Sequence, residues 1–171
     1  MKMVIVVELN GGLGNQMFIY AAGFAISKRN NAQLKIDTSH LTAWHIKKKW
    51  DAEVLKLNVS HGTCSESERK KFVFKTGVRY LDMFLMKYGL FENKVYDEKN
   101  ISFENFLNIR EGYLRGYFTY LKYFDFGDIK EDLKKEFGLK DKSRITKTLK
   151  DIKNSFSVSA GFLLCFVFFS E

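Results

Sequence analysis

Proline does not occur anywhere in this sequence of 171 residues. Average usage of about 5% would supply roughly eight, so a proline-rich linker is excluded. Cysteine is nearly as scarce. Cys64 and Cys165 lie far apart, which builds no disulfide framework and offers no metal-ligand spacing. That usage fits a reducing, cytoplasmic setting. Long apolar runs are missing too. The stretch "MKMVIVVELN" turns polar too quickly for a signal peptide. The ten residues from Ala160 to Phe169 are all apolar or glycine, but crossing a bilayer takes about 20. Acidic residues are the minority, 20 against 28 Lys and Arg, for a net charge of +8. The positive charge is spread through residues 47–49, 69–71 and 130–153. Its plain account is a solvated basic surface. The functional alternatives are a phosphate-bearing ligand, an anionic membrane face or nucleic acid. No RNA- or DNA-binding signature accompanies the charge, so nucleic acid is not an expected partner.

What is present points to a single globular domain with a sizeable core, since 46% of the residues are apolar. Residues 4–8 are β-branched and apolar and predict a buried strand. Residues 11–14 predict a loop. From Asn15 to Arg29, Met17, Tyr20, Ala21, Phe24 and Ala25 recur at helical spacing, and Lys28 and Arg29 sit where they suit the helix dipole. Residues 32–37 predict a second strand. Strand, glycine loop, helix and strand within about 37 residues make a βαβ unit, so the expected fold class is α/β with a parallel sheet and a right-handed crossover.

Further along, residues 40–50 suggest a loop with a helical turn. Residues 65–88 are compatible with a helix, and Ser65 with Glu68 makes a capping box. Residues 94–98 and 112–118 predict strands, the second with two glycines that imply a close backbone approach. Residues 128–137 predict a helix stopped by Gly138, residues 143–153 another, and residues 155–159 begin like a strand.

The most informative stretch is "NGGLGNQMFIYA", residues 10–21. A strand that ends in glycines and opens a helix aims backbone N–H groups and the positive end of a helix dipole at whatever lies in front. Gly11, Gly12 and Gly14 supply positive φ and close approach. Asn15 and Gln16 add amide donors and acceptors. This chemistry suits a diphosphate or a sugar hydroxyl. A P-loop is rejected, because Asn15 and Gln16 stand where Lys and Ser or Thr are needed. A dinucleotide fingerprint of the NAD type is half met: Gly12 and Gly14 fit its first two glycines, Met17 occupies the third, and Asp37 ends the second strand where a ribose-binding acid belongs. A tight turn with no ligand is the third option.

"GGLGNQMFIYAAGFAIS" closely resembles the amino-terminal motif of the family 11 glycosyltransferases, the α-1,2-fucosyltransferases. "GYLRGYFTYLKYFDFGDIKEDLKKEF", residues 112–137, is similar to the family's second landmark, a Gly-Tyr-aromatic segment followed by Tyr-Phe. The resemblance implies inverting transfer of fucose from GDP-fucose to the 2-hydroxyl of a terminal β-galactose, in surface glycan synthesis such as that of lipopolysaccharide or O-antigen. It implies a Rossmann-like domain that is one half of a two-domain GT-B-type enzyme. It places Gly11, Gly12, Gly14, Asn15 and Gln16 near the donor diphosphate or the transferred sugar. It implies no cofactor and no metal, in line with the lack of an Asp-x-Asp. Peripheral contact with an anionic membrane, where lipid-linked glycans are built, joins the expectations.

Other candidates are weaker. His40, His45 and His61 can each act as a base, but the plainer account of each is a surface or loop histidine. Asp37 is better placed. Trp44, Trp50 and Tyr113 can stack on a sugar or merely pack. Arg115 lies between two glycines and faces either a ligand or the protein.

In the family, a strand resembling residues 156–159 runs into a His-x-Arg-Arg-Gly-Asp-Tyr segment that supplies the arginines for GDP. Here "SFSVS" runs into "AGFLLCFVFFSE". The expectation is a Rossmann-like unit over residues 1–153, and over residues 154–171 a strand start and a divergent apolar tail in place of the second domain. A shifted reading frame explains such a tail. Translation of the coding DNA past Ser159 in the other two frames is expected to reveal the arginine-bearing segment, and its absence from both frames refutes the frameshift.

Overall fold

In the computed structural model the described residues are 3–43, 48–73, 94–125 and 129–138, with Leu81 and Phe84. The expected helix over residues 143–153, the strand start after residue 154 and most of residues 74–88 lie outside them.

Four strands form one sheet: β1 (Val4–Glu8), β2 (Gln33–Asp37), β3 (Val95–Asp97) and β4 (Gly112–Arg115). Their order is β2-β1-β4-β3, and every neighbouring pair is parallel. The α/β expectation is therefore met. The register brings the strand ends level. Glu8 pairs with Asp37, Val7 with Leu114, and Asp97 with Arg115. Three acids and an arginine thus sit at the carboxyl edge, where open parallel sheets bind ligands.

Side chains alternate between the two faces of a strand. Ile5, Val7, Leu34, Ile36 and Leu114 point into the larger core, while Val6 and Tyr113 point into a smaller one with Phe72. The larger core is built on α1 (Leu13–Arg29), in which every residue from Phe18 to Ser27 is buried. A helix that is apolar all round must be covered on all sides. The sheet covers one side. The 3-10 turns Glu53–Lys56 and Leu121–Tyr123 and the helix α3 (Phe103–Leu107) cover others. The other face of the sheet carries α2 (Glu66–Phe72), whose Phe72 and the neighbouring Val73 pack on Tyr113 and Val6.

Local sequence explains the ends. Ser65 accepts from the Glu68 N–H, and Glu68 accepts from the Ser65 N–H at 2.8 Å, so the expected capping box is present. The helix α4 (Ile129–Glu136) buries Ile129 and Leu133 and is tied to α1 through its last residue. There the Tyr20 hydroxyl donates to Glu136 Oε2 at 2.5 Å, and Ser60 donates to both Glu136 oxygens. Lys28 of α1 pairs with Asp132 of α4 as well.

Departures from the sequence reading are small. α1 begins at Leu13, two residues before the expected start, because Gly14 is itself helical. β4 ends at Arg115 rather than running to residue 118, because Glu98 Oε2 takes the N–H groups of Tyr117 and Phe118 away from the ladder. α3 is capped by Ser102, which accepts from the Asn105 N–H, and it had no counterpart in the sequence reading.

Gly23 marks the closest approach of α1 to the sheet. A Cβ there would collide with Val7 Cγ1 and lie 2.9 Å from Leu34 Cδ1. Overpacking costs about 1–3 kcal/mol, more than the roughly 1 kcal/mol of helix propensity that alanine adds. Gly23→Ala is expected to lower the urea midpoint at unchanged slope, and a raised midpoint would show that helix and sheet are not so closely packed.

Candidate functional site

The turn between β1 and α1 is built from the glycines, though not as expected for all three. Gly11 alone adopts positive φ, +72°, and a Cβ there would lie 2.6 Å from Asn15 Nδ2. Gly12 is extended and precedes the first residue of α1, and Gly14 lies within the helix. Gly12 serves close approach. The Trp50 ring lies over it, 3.0 Å from where a Cβ would be, and Lys48 covers that ring at 3.9 Å from its centre. The head of α1 has no side-chain cap and no acidic residue in its first turn. Among the described residues nothing accepts from its first N–H groups, which stand at the positive end of the dipole.

Gln16 is fully buried and braces the turn. Its amide nitrogen donates to Gly11 O at 2.7 Å and to Asp51 O at 2.8 Å, and its oxygen accepts from Val54 N–H at 3.1 Å. Both amide protons are thereby engaged within the protein. Gly11, Gly12, Gln16 and the segment 50–54 form one packed unit, with Asn10 at its edge.

Beside that unit a cleft of about 1020 Å³ opens over the carboxyl edge of the sheet. Its lining includes Glu8, Asn10, His40, Arg69, Arg115 and Tyr117. Its floor is a polar cluster in which three strands meet. The Tyr113 hydroxyl lies 2.8 Å from Glu8 Oε2 and 2.7 Å from Asp37 Oδ2. A phenol has one hydrogen to donate, so it serves one carboxylate at a time. The second is balanced by cations. Arg115 sets its Nε 3.2 Å from Glu8 Oε1 and its Nη2 3.4 Å from Glu8 Oε2, a side-on bidentate pair. Arg69 Nε lies 3.9 Å from Asp37 Oδ2, and His40 Nδ1 lies 3.9 Å from Glu8 Oε1. Ser39 N–H donates to Asp37 Oδ1 at 2.8 Å. The carboxylates are covered, whereas the side chains of Arg115 and Arg69 remain 45% and 32% exposed.

Of the candidates outside the glycine turn, Asp37 and Arg115 come together here with His40 beside them. Tyr113 joins them as a buried hydroxyl donor rather than a sugar platform. His61 belongs to another cluster, 2.9 Å from the Tyr20 hydroxyl, and Trp50 packs on Gly12. Trp44 and His45 lie outside the described residues. The sequence reading missed Glu8 and Arg69. Glu8 had a signal: a carboxylate ending a strand that is otherwise apolar throughout.

The fold and the cleft thus define an α/β protein with a polar site at the carboxyl edge of a parallel sheet. Comparison with known proteins adds one specific resemblance. A 34-residue stretch is 56% identical to an alpha-1,2-colitosyltransferase of Escherichia coli, a match that spans 20% of this chain and 12% of that protein. No protein-family model and no solved structure matches the chain. Among the described residues no helix is long and apolar enough to cross a membrane.

The buried hydroxyls generate a pH prediction. Burial, with the Glu8 charge behind it, holds the Tyr113 hydroxyl far above the ordinary 10.0, and burial with the Glu136 hydrogen bond does the same to Tyr20. Groups raised in the folded state contribute stability that is complete below their unfolded value and is lost as pH climbs past it. Stability is expected to fall above about pH 10, with Tyr20 and Tyr113 ionising only as the chain unfolds. Ultraviolet titration alongside circular dichroism measures this, and reversible ionisation of every tyrosine in the folded state would contradict it.

Proposed function

We propose that this chain is the amino-terminal, Rossmann-like half of a GT-B-type α-1,2-fucosyltransferase, which transfers L-fucose from GDP-fucose to the 2-hydroxyl of a terminal β-galactoside in surface glycan synthesis. The observation that carries the proposal is the long glycine motif. It closely resembles the family 11 motif and forms a turn at the uncapped head of a buried helix. The alpha-1,2-colitosyltransferase match supports the same class of chemistry, since that protein's name also specifies a 1,2-linked glycosyl transfer. On this proposal residues 1–153 form the unit.

Gly11, Gly12, Gly14 and Asn15 face the donor diphosphate or the transferred sugar, and Gln16 acts from behind by fixing the Gly11 carbonyl. The donor diphosphate gains from the dipole of α1 and its free N–H groups, which stabilise a leaving group without a metal. The working compartment is the cytoplasm, with peripheral contact at an anionic membrane face. The 171 residues contain no His-x-Arg-Arg segment. Guanidinium contacts to phosphate contribute about 1.5–3 kcal/mol each, so the polypeptide taken alone is expected to transfer fucose slowly or not at all.

An NAD-type dinucleotide domain is the rival, favoured by Asp37 at the end of β2. In the structure Asp37 is held by Tyr113 and Ser39, which leaves it poorly placed to receive a ribose. Calorimetric titration with GDP-fucose and with NAD separates the two. Saturable binding of GDP-fucose with much weaker binding of NAD is expected, and tighter binding of NAD would overturn the proposal.

A further inference from the structure

We propose that the cleft over the carboxyl edge of the sheet is an oxyanion site, in which a phosphate or diphosphate group is held between the guanidinium groups of Arg69 and Arg115. This goes beyond the transferase proposal, because any ligand bearing such a group satisfies it.

The hydrogen-bond inventory of the cleft carries the inference. Each carboxylate that lines it already accepts from the protein's own donors. Glu8 is taken by Tyr113 and Arg115. Asp97 Oδ1 accepts from the Lys99 N–H, and Glu98 Oε2 accepts from the N–H groups of Tyr117 and Phe118. Behind the floor, Asp37 is nearly fully buried and takes Tyr113 and the Ser39 N–H.

The donors are in surplus. Arg115 uses one edge of its guanidinium on Glu8, and its Nη1 has no partner among the described residues. Arg69 stands too far from Asp37 for a hydrogen bond, and its guanidinium donates to no other described residue. The Lys99 ammonium has no partner among the described residues, and the Asn10 amide lines the same space. A phosphate ester or diphosphate only accepts, and suits these donors.

Anchoring explains why the arginines are useful there. Glu8 fixes the guanidinium plane of Arg115 from below, and the packing of Tyr113 fixes Glu8. Immobilising the side chain before the ligand arrives lowers the entropic cost of the fork-like contact with phosphate oxygens. With the buried carboxylates counted, the cleft is close to neutral when empty. Direct guanidinium contacts, rather than a diffuse positive field, are then what binds.

Isothermal titration of the full 171-residue chain with inorganic pyrophosphate tests this, with GDP as a further titrant. Saturable binding of pyrophosphate and GDP is expected. Arg69→Gln and Arg115→Gln are each expected to weaken pyrophosphate roughly 10- to 100-fold, while Lys122→Gln, outside the cleft, leaves it unchanged. Circular dichroism melts report folding, and should Arg115→Gln fail to fold, Arg69→Gln, which breaks no hydrogen bond to Asp37, decides alone. The proposal is overturned if the parent chain ignores pyrophosphate, or if the folded arginine variants bind like the parent. Pyrophosphate carries neither base nor sugar, so these outcomes are independent of whether GDP-fucose is preferred over NAD.

Discussion

One phenol holds the working edge of this protein together. Tyr113 rises from β4 with its ring packed on Phe72 and Val6, and its hydroxyl touches a carboxylate from β1 and another from β2. Three of the four strands are thereby joined at their carboxyl ends by side chains as well as by the ladder. Two carboxylates so close are tolerable in a buried place only if donors and cations surround them. The Ser39 N–H and Arg115 donate to them, the Arg69 cation lies 3.9 Å from Asp37, and Arg115 and Arg69 also line the cleft. Stability and site are consequences of the same contact.

The glycine turn contributes in a different way from the one its composition suggests. Its amide side chain faces inward. Gln16 bonds the Gly11 carbonyl five residues before it and two backbone groups 35 and 38 residues after it, and so locks the segment 50–54 against the turn. Trp50 then fills the space that the missing Cβ of Gly12 leaves open. What remains directed outward includes the backbone at the uncapped head of α1 and the Asn10 amide in the cleft. A motif rich in glycine, asparagine and glutamine can thus be partly internal carpentry and still present polar groups to a ligand.

Much of the fold was legible because it is encoded locally. β1 is a bare apolar run, α1 has helical spacing with basic residues at its end, and Ser65 with Glu68 signals its helix start through paired caps. The site was legible only in part. Asp37 and Arg115 announced themselves by position, at a strand end and between two glycines. Their meeting with Glu8 and Arg69 depends on register across β2, β1 and β4, which no local pattern specifies. Arg69 sat unnoticed in a run of basic residues because only the crossover of α2 onto the face shared by Tyr113 and Glu8 gives that residue a neighbour. α3 was missed because five residues hold too little periodicity to declare a helix.

The account stands or falls on the cleft being where a phosphate-bearing ligand meets the chain. Side-chain NMR of the arginine Nε–Hε groups during titration with GDP-fucose tests it most directly. The signals of Arg69 and Arg115 are expected to shift together and saturate at one ligand concentration, while Arg29 and Arg110, remote from the cleft, stay in place. Shifts confined to the remote arginines, or none at all while the ligand binds, would contradict it.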